Sequence, residues 1–181
     1  MKTKTIFIAD ETVAIDTDYL NPFFLDEIEE TEILKIQELT NLQHLNISST
    51  EIEDKHLAII GEINSIELLD IDATKITDEG IQLLQSLQYL KQLRLKDNPQ
   101  LTDACIKYLS NIKSLEMIHI GNTSITVSGL KKLPLDTNLN SIILSSNFKN
   151  SVEDLCLLST RYPKLEITLK GTGVITRGKL N

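Results

Sequence analysis

The chain has 181 residues, 41 % hydrophobic but only 4 % aromatic and without tryptophan, and a formal net charge of −8. That length suits one domain with a continuous core, which must then be built from Leu and Ile rather than from rings. An acidic balance with few stacking residues also disfavours nucleic-acid binding.

At the N-terminus, MKTKTIFIADETVAID carries only the four-residue apolar run Ile6 to Ala9. That run is too short for a secretory core or a membrane span, so a cytoplasmic location without membrane attachment is expected. Cys105 and Cys156 lack a C-x-x-C spacing and read as reduced thiols, in keeping with that compartment. Ile6 and Ile8 precede Asp10-Glu11, and Val13 and Ile15 follow, which predicts a β-hairpin cap over residues 1–17. Residues 18–41 align with the next stretch at a shift of 24 and read as a degenerate first coil, although a plain helix from Phe24 to Glu38 also fits.

From Leu42 onward the pattern is regular. Leu42, Leu45 and Ile47 follow L-x-x-L-x-L, as do Ile66, Leu69, Ile71, then Leu90, Leu93, Leu95, then Leu115, Ile118, Ile120, then Leu139, Ile142, Leu144. After each strand comes one short polar residue: Thr50, Thr74, Asn98, Thr123, Asn147 and Thr172, spaced by 24 or 25. A fixed period of this length is the mark of a solenoid, and the polar positions predict a ladder that satisfies backbone groups of the covered turns. Asp54, Asp78 and Asp103 stand ahead of the helical segments and read as helix caps. Gly80, Cys105 and Gly129 share one position, which predicts a site for a small residue, so Cys105 is a spacer and not a nucleophile. SSNFKNSVEDL breaks the pattern, which predicts a different loop path in the fifth coil.

These residues resemble the leucine-rich repeat family, L-x-x-L-x-L-x-x-N/C-x-L, with Thr replacing Asn at four of the six ladder positions. The T-x-I-T-D-x-G-[IL] turn at Thr74 to Ile81 is similar to the helix-bearing bacterial and ribonuclease-inhibitor-like branches. The resemblance implies an α/β leucine-rich repeat solenoid: a short curved horseshoe with a parallel β-sheet on the concave face and short helices on the convex face. About five to six coils would occupy residues 18–176, behind the hairpin cap, with a polar tail at 177–181.

Strand alternation turns the residues between the core positions onto the concave face. The first column is His44, Leu68, Gln92, Met117 and Ser141; the second is Asn46, Asp70, Arg94, His119 and Ile143; the third is Ser48, Asp72, Lys96, Gly121 and Ser145. Adjacent strands place Asp70 beside Arg94 and Asp72 beside Lys96, and Leu68, Met117 and Ile143 supply apolar anchors among the charges. Residues 1–90 hold 19 Asp and Glu against 5 Lys and Arg, while residues 91–181 hold 7 against 13, so the long axis carries a dipole. Glu27, Glu29, Glu30, Glu51 and Glu53 form acidic loops in the first half.

No nucleophile–His pair, phosphate loop or H-E-x-x-H motif is present, and His44 and His119 lie about three strand spacings apart, roughly 14 Å, too far to share a metal. The expected function is therefore a non-enzymatic protein-binding module without cofactor or metal, taking a partner with a basic surface. Its most specific form is a stand-alone inhibitor or toxin-neutralising immunity protein. A scaffold subunit of a permanent complex is the alternative.

Overall fold

The computed structural model describes residues 4–8, 11–21 and 30–181. Strands β1 (Thr5–Ile8) and β2 (Glu11–Ala14) pair antiparallel with Thr5 opposite Ala14, a separate hairpin at one end. The coils follow: β3 (Tyr19–Leu20), α1 (Glu30–Ile36), β4 (His44–Asn46), α2 (Asp54–Ile60), β5 (Leu68–Asp70), α3 (Asp78–Leu83) and β6 (Gln92–Arg94). After these come α4 (Ile106–Leu109), β7 (Met117–His119), α5 (Val127–Leu130), β8 (Ser141–Leu144), α6 (Val152–Arg161), β9 (Glu166–Leu169), β10 (Gly173–Thr176) and β11 (Lys179–Leu180).

β3 to β9 form one parallel sheet in sequence order, with Leu45, Leu69, Leu93, Ile118, Ile142 and Ile167 in register across it. Each of these side chains is fully buried, and with Ile47, Ile71, Leu95, Ile120, Leu144 and the helix residues Leu57, Ile81, Ile106 and Leu130 they fill a core running the length of the stack. The helices are short because each has only to close one coil and cover one slice of core. The segment 22–29, with the proposed turn of the first coil, Pro22 and the start of the alternative helix, lies outside the described residues. α1 supplies buried Ile33 and Ile36 to the same core.

The polar ladder is real over four coils. The Thr50, Thr74 and Thr123 hydroxyls donate to the carbonyls of Ile47, Ile71 and Ile120. Asn98 does more: its amide donates to Ile71 O at 2.9 Å and Leu95 O at 3.0 Å, and its Oδ1 accepts from the Thr74 N–H at 2.9 Å. The expectation fails at Asn147 and Thr172, which are exposed. Asn147 falls in a 3-10 turn, Ser146–Ser151, that replaces the regular loop of the fifth coil, and Thr172 lies in the bend that reverses the chain. One residue before each true ladder position the backbone turns left-handed, at Ser49, Ala73, Asp97 and Asn122.

The aspartates do not cap their own helices. Asp54 Oδ1 accepts the Thr77 N–H at 2.8 Å, and its Oδ2 accepts the Thr77 hydroxyl at 2.6 Å. Asp78 takes Thr102 in the same two ways, and Asp103 takes Thr126. Each carboxylate therefore clips its coil to the start of the next coil's helical segment, which satisfies a terminal N–H from outside the helix. The small residue shared by the coils now has its reason: a methyl group on Gly80 or Gly129 would overlap the carboxylate of Asp54 or Asp103. Cys105 fills the same position against Asp78, and burial and that carboxylate push its thiol far up, so it is inert as a nucleophile.

Residues 177–181, expected as a tail, complete the far end of the sheet. Thr176 and Ile175 pair with Lys179 and Leu180, and β10 pairs antiparallel with β9. The chain reverses because Gly171, Arg177 and Gly178 adopt positive φ, and fully buried Ile175 then covers the last coil.

Candidate protein-binding face

The register aligns the first two columns on the sheet, and the third follows just past the strand ends. His44, Leu68, Gln92, Met117 and Ser141 are consecutive partners across β4 to β8, and Asn46, Asp70, Arg94, His119 and Ile143 form the next row. His44 and Gln92 are exposed, whereas Leu68, Met117 and Ile143 are partly covered and remain accessible. Asn46 turns its Oδ1 to the Ser48 N–H, a local bond that fixes the strand end. No helix among the described residues is long and apolar enough to cross a membrane.

Two of the residues expected to be open are instead the floor of the face. Asp70 is 7 % exposed and His119 5 %. Asp70 accepts the Asp72 N–H at 3.1 Å through Oδ1, and its Oδ2 lies 3.5 Å from Arg94 Nη1. The second expected pair forms differently. Asp72 Oδ1 takes the backbone N–H of Lys96 at 2.6 Å, and the Lys96 ammonium turns to Asp97.

Asp72 is consequently an uncomfortable carboxylate. Burial and the nearby Asp70 charge push its pKa up to about 6, against the pull of the Lys96 N–H, Lys96 and Arg94. His119 moves the other way, down to about 4, because of its burial and the cations of Lys170, Arg94 and Lys96. Near neutral pH it is an uncharged imidazole. Its Nδ1 stands 3.9 Å from Asp72 Oδ2, too long for a hydrogen bond, and its Nε2 has no partner. Lys170 was missed by the column reading, which stopped at Ser145. One further step along the 24–25-residue period from Ser145 reaches it, in the register Leu144 to Leu169.

The acidic loops lie apart from this floor. Glu51 pairs with Lys75, and Glu53, the residue before α2, stands 3.3 Å from Lys55 while its N–H donates to His56 Nδ1 at 2.9 Å. Glu30 is exposed in the first turn of α1. Glu27 and Glu29 lie outside the described residues. Among the described residues, no three His, Cys, Asp or Glu side chains gather closely enough to hold a metal ion.

No protein-family model and no curated protein matches the sequence. Among solved structures, the chain is similar to internalin C2 of Listeria monocytogenes, with 24 % identity over 60 % of this chain and 44 % of that one, and a TM-score of 0.47. It is also similar to a second internalin of that organism, with 20 % identity over 76 % and 45 %, TM-score 0.47. A third is the plant peptide hormone receptor RGFR1 in complex with RGF2, with 16 % identity over 75 % and 26 %, TM-score 0.44. The chain spans less than half the length of each. Its own geometry carries the assignment of fold: with coils of 24 or 25 residues, a strand in each, a polar ladder over four of them and short helices stacked behind one parallel sheet, the chain has the leucine-rich repeat fold.

Proposed function

We propose that this protein is a non-enzymatic interaction module that binds a partner protein on the concave sheet face, aided by its acidic N-terminal half. The observation that carries this reading is the open row of β4 to β8. There Leu68, Met117 and Ile143 stay partly exposed around charged and exposed polar side chains, the mixture of apolar anchor and polar surround that protein interfaces use. The most specific form is an inhibitor or immunity-type protein for a basic enzyme or toxin, because residues 1–90 are strongly acidic and oppositely charged surfaces associate fast. The scaffold reading has its own support in the exposed Tyr89, Leu135 and Leu157, which lie off this face.

The test is capture from source-cell extract by the wild-type chain and by a His44→Glu, Gln92→Glu, Met117→Ala variant. Exposed His44 and Gln92 and the partly covered Met117 make this variant gentler on the fold than one altering Arg94, which faces buried Asp70. A partner held by the wild type and weakened by about 2 kcal/mol or more in the variant, with unchanged thermal stability, supports the concave face. Equal capture by both removes that face from consideration. A single basic partner lost as salt rises favours the inhibitor, and several partners indifferent to salt favour the scaffold.

A further inference from the structure

Within the concave face, the Asp72 carboxylate has no lysine or arginine partner among the described residues. Its Oδ1 is occupied by the Lys96 N–H, but its Oδ2 accepts no hydrogen bond among the described residues, and His119 Nδ1 stands 3.9 Å from it. The two neighbouring cations are committed elsewhere, the Lys96 ammonium to Asp97 and the Arg94 guanidinium to Asp70. His119 adds an independent sign. Its side chain is 6 % exposed, its Nδ1 stands 3.9 Å from Asp72 Oδ2, and its buried Nε2 has no hydrogen-bond partner among the described residues. A buried imidazole beside a half-satisfied carboxylate is an incomplete polar network, the kind that a bound group completes. The Asp72 side chain is 19 % exposed, so a slender polar group can reach it from the open face.

Resting on the concave-face reading, we propose that Asp72 is the receptor for a single cationic side chain, lysine or arginine, presented by the partner. Charge complementarity selects the occupant. An ammonium or guanidinium supplies the donor that Asp72 Oδ2 lacks and offsets the two carboxylates at Asp70 and Asp72. The raised pKa of Asp72 agrees: an anion crowded by burial and Asp70 gains from a cation.

The experiment is selection of random displayed peptides on the intact protein at about pH 7.5, with each selected peptide then measured against three variants. Asp72→Asn keeps the acceptor for the Lys96 N–H and removes the charge, Met117→Ala reports the face, and Glu51→Gln reports the remote acidic loop. Enriched peptides carrying Lys or Arg, weakened about tenfold or more by Asp72→Asn, weakened by Met117→Ala and unaffected by Glu51→Gln, establish the site. Peptides sensitive to Met117→Ala but indifferent to Asp72→Asn overturn the cation receptor and leave the face standing. Enrichment of acidic peptides without Lys or Arg also overturns it. Peptides indifferent to both Met117 and Asp72, or no enrichment, overturn this proposal and the face together.

Discussion

Asp72 and His119 titrate in opposite senses over one pH window, and each contributes its own slope to stability. The folded pKa of Asp72 is raised from 3.8 to about 6, so its contribution is full below the unfolded value and is lost as pH rises through about 6. His119 is lowered from 6.5 to about 4, so the unfolded chain takes up its proton first, and stability is lost as pH falls from 6.5 towards 4. Asp72→Asn is expected to raise the unfolding free energy by about 1–3 kcal/mol at about pH 7.5 and to change it little at about pH 3.5, as read by urea titration. In the same titration His119→Gln is expected to flatten the acid limb between those two pKa values. A gain on removing Asp72, together with weaker binding, is the trade expected of a residue kept for function. Next to it, Ala73 holds φ at 53°, a conformation costly for a residue with a Cβ. Ala73→Gly is expected to stabilise by about 0.5–1 kcal/mol, the relief of strain exceeding the added freedom of the unfolded chain, with the midpoint of thermal unfolding as the check.

Between elements, the aspartate clips join coil to coil. Asp78→Ala leaves the Thr102 N–H and hydroxyl without their acceptor, an expected loss of about 1–3 kcal/mol. A double-mutant cycle with Thr102→Val checks that the loss belongs to this pair, since residues in direct contact couple. Gly129→Ala, which would improve helix propensity in an open site, is expected instead to destabilise, because its methyl group meets the Asp103 carboxylate. The sequence showed that a small residue recurs at Gly80, Cys105 and Gly129 but not what it makes room for. The clip partners are 23 or 24 residues apart in the chain, and only the stacked coils reveal them.

At the scale of the molecule, a solenoid must close both ends of its core. The hairpin β1–β2 stands at one end, where buried Ile8 joins the core and the Thr40 N–H reaches the Ile15 carbonyl. β10 and β11 close the other, turning the sheet antiparallel where a further parallel coil would otherwise be required. Deleting residues 173–181 removes Ile175 from the core and bares the edge of β9. The expected result is a lower unfolding midpoint with concentration-dependent association, followed by calorimetry and sedimentation.

The period, the Leu and Ile core, the parallel strand order and four of the six ladder positions follow from the sequence, because each depends on a side chain's place within its own coil. The columns of the concave face follow too, since strand alternation is local. Which charges meet was decided only by the tertiary structure: Lys96 turns to Asp97, Asp72 receives a backbone N–H, and Asp70 and His119 sink below the surface. Such choices rest on rotamers and on the competition among neighbours from three or four coils at once, and no single repeat contains that information.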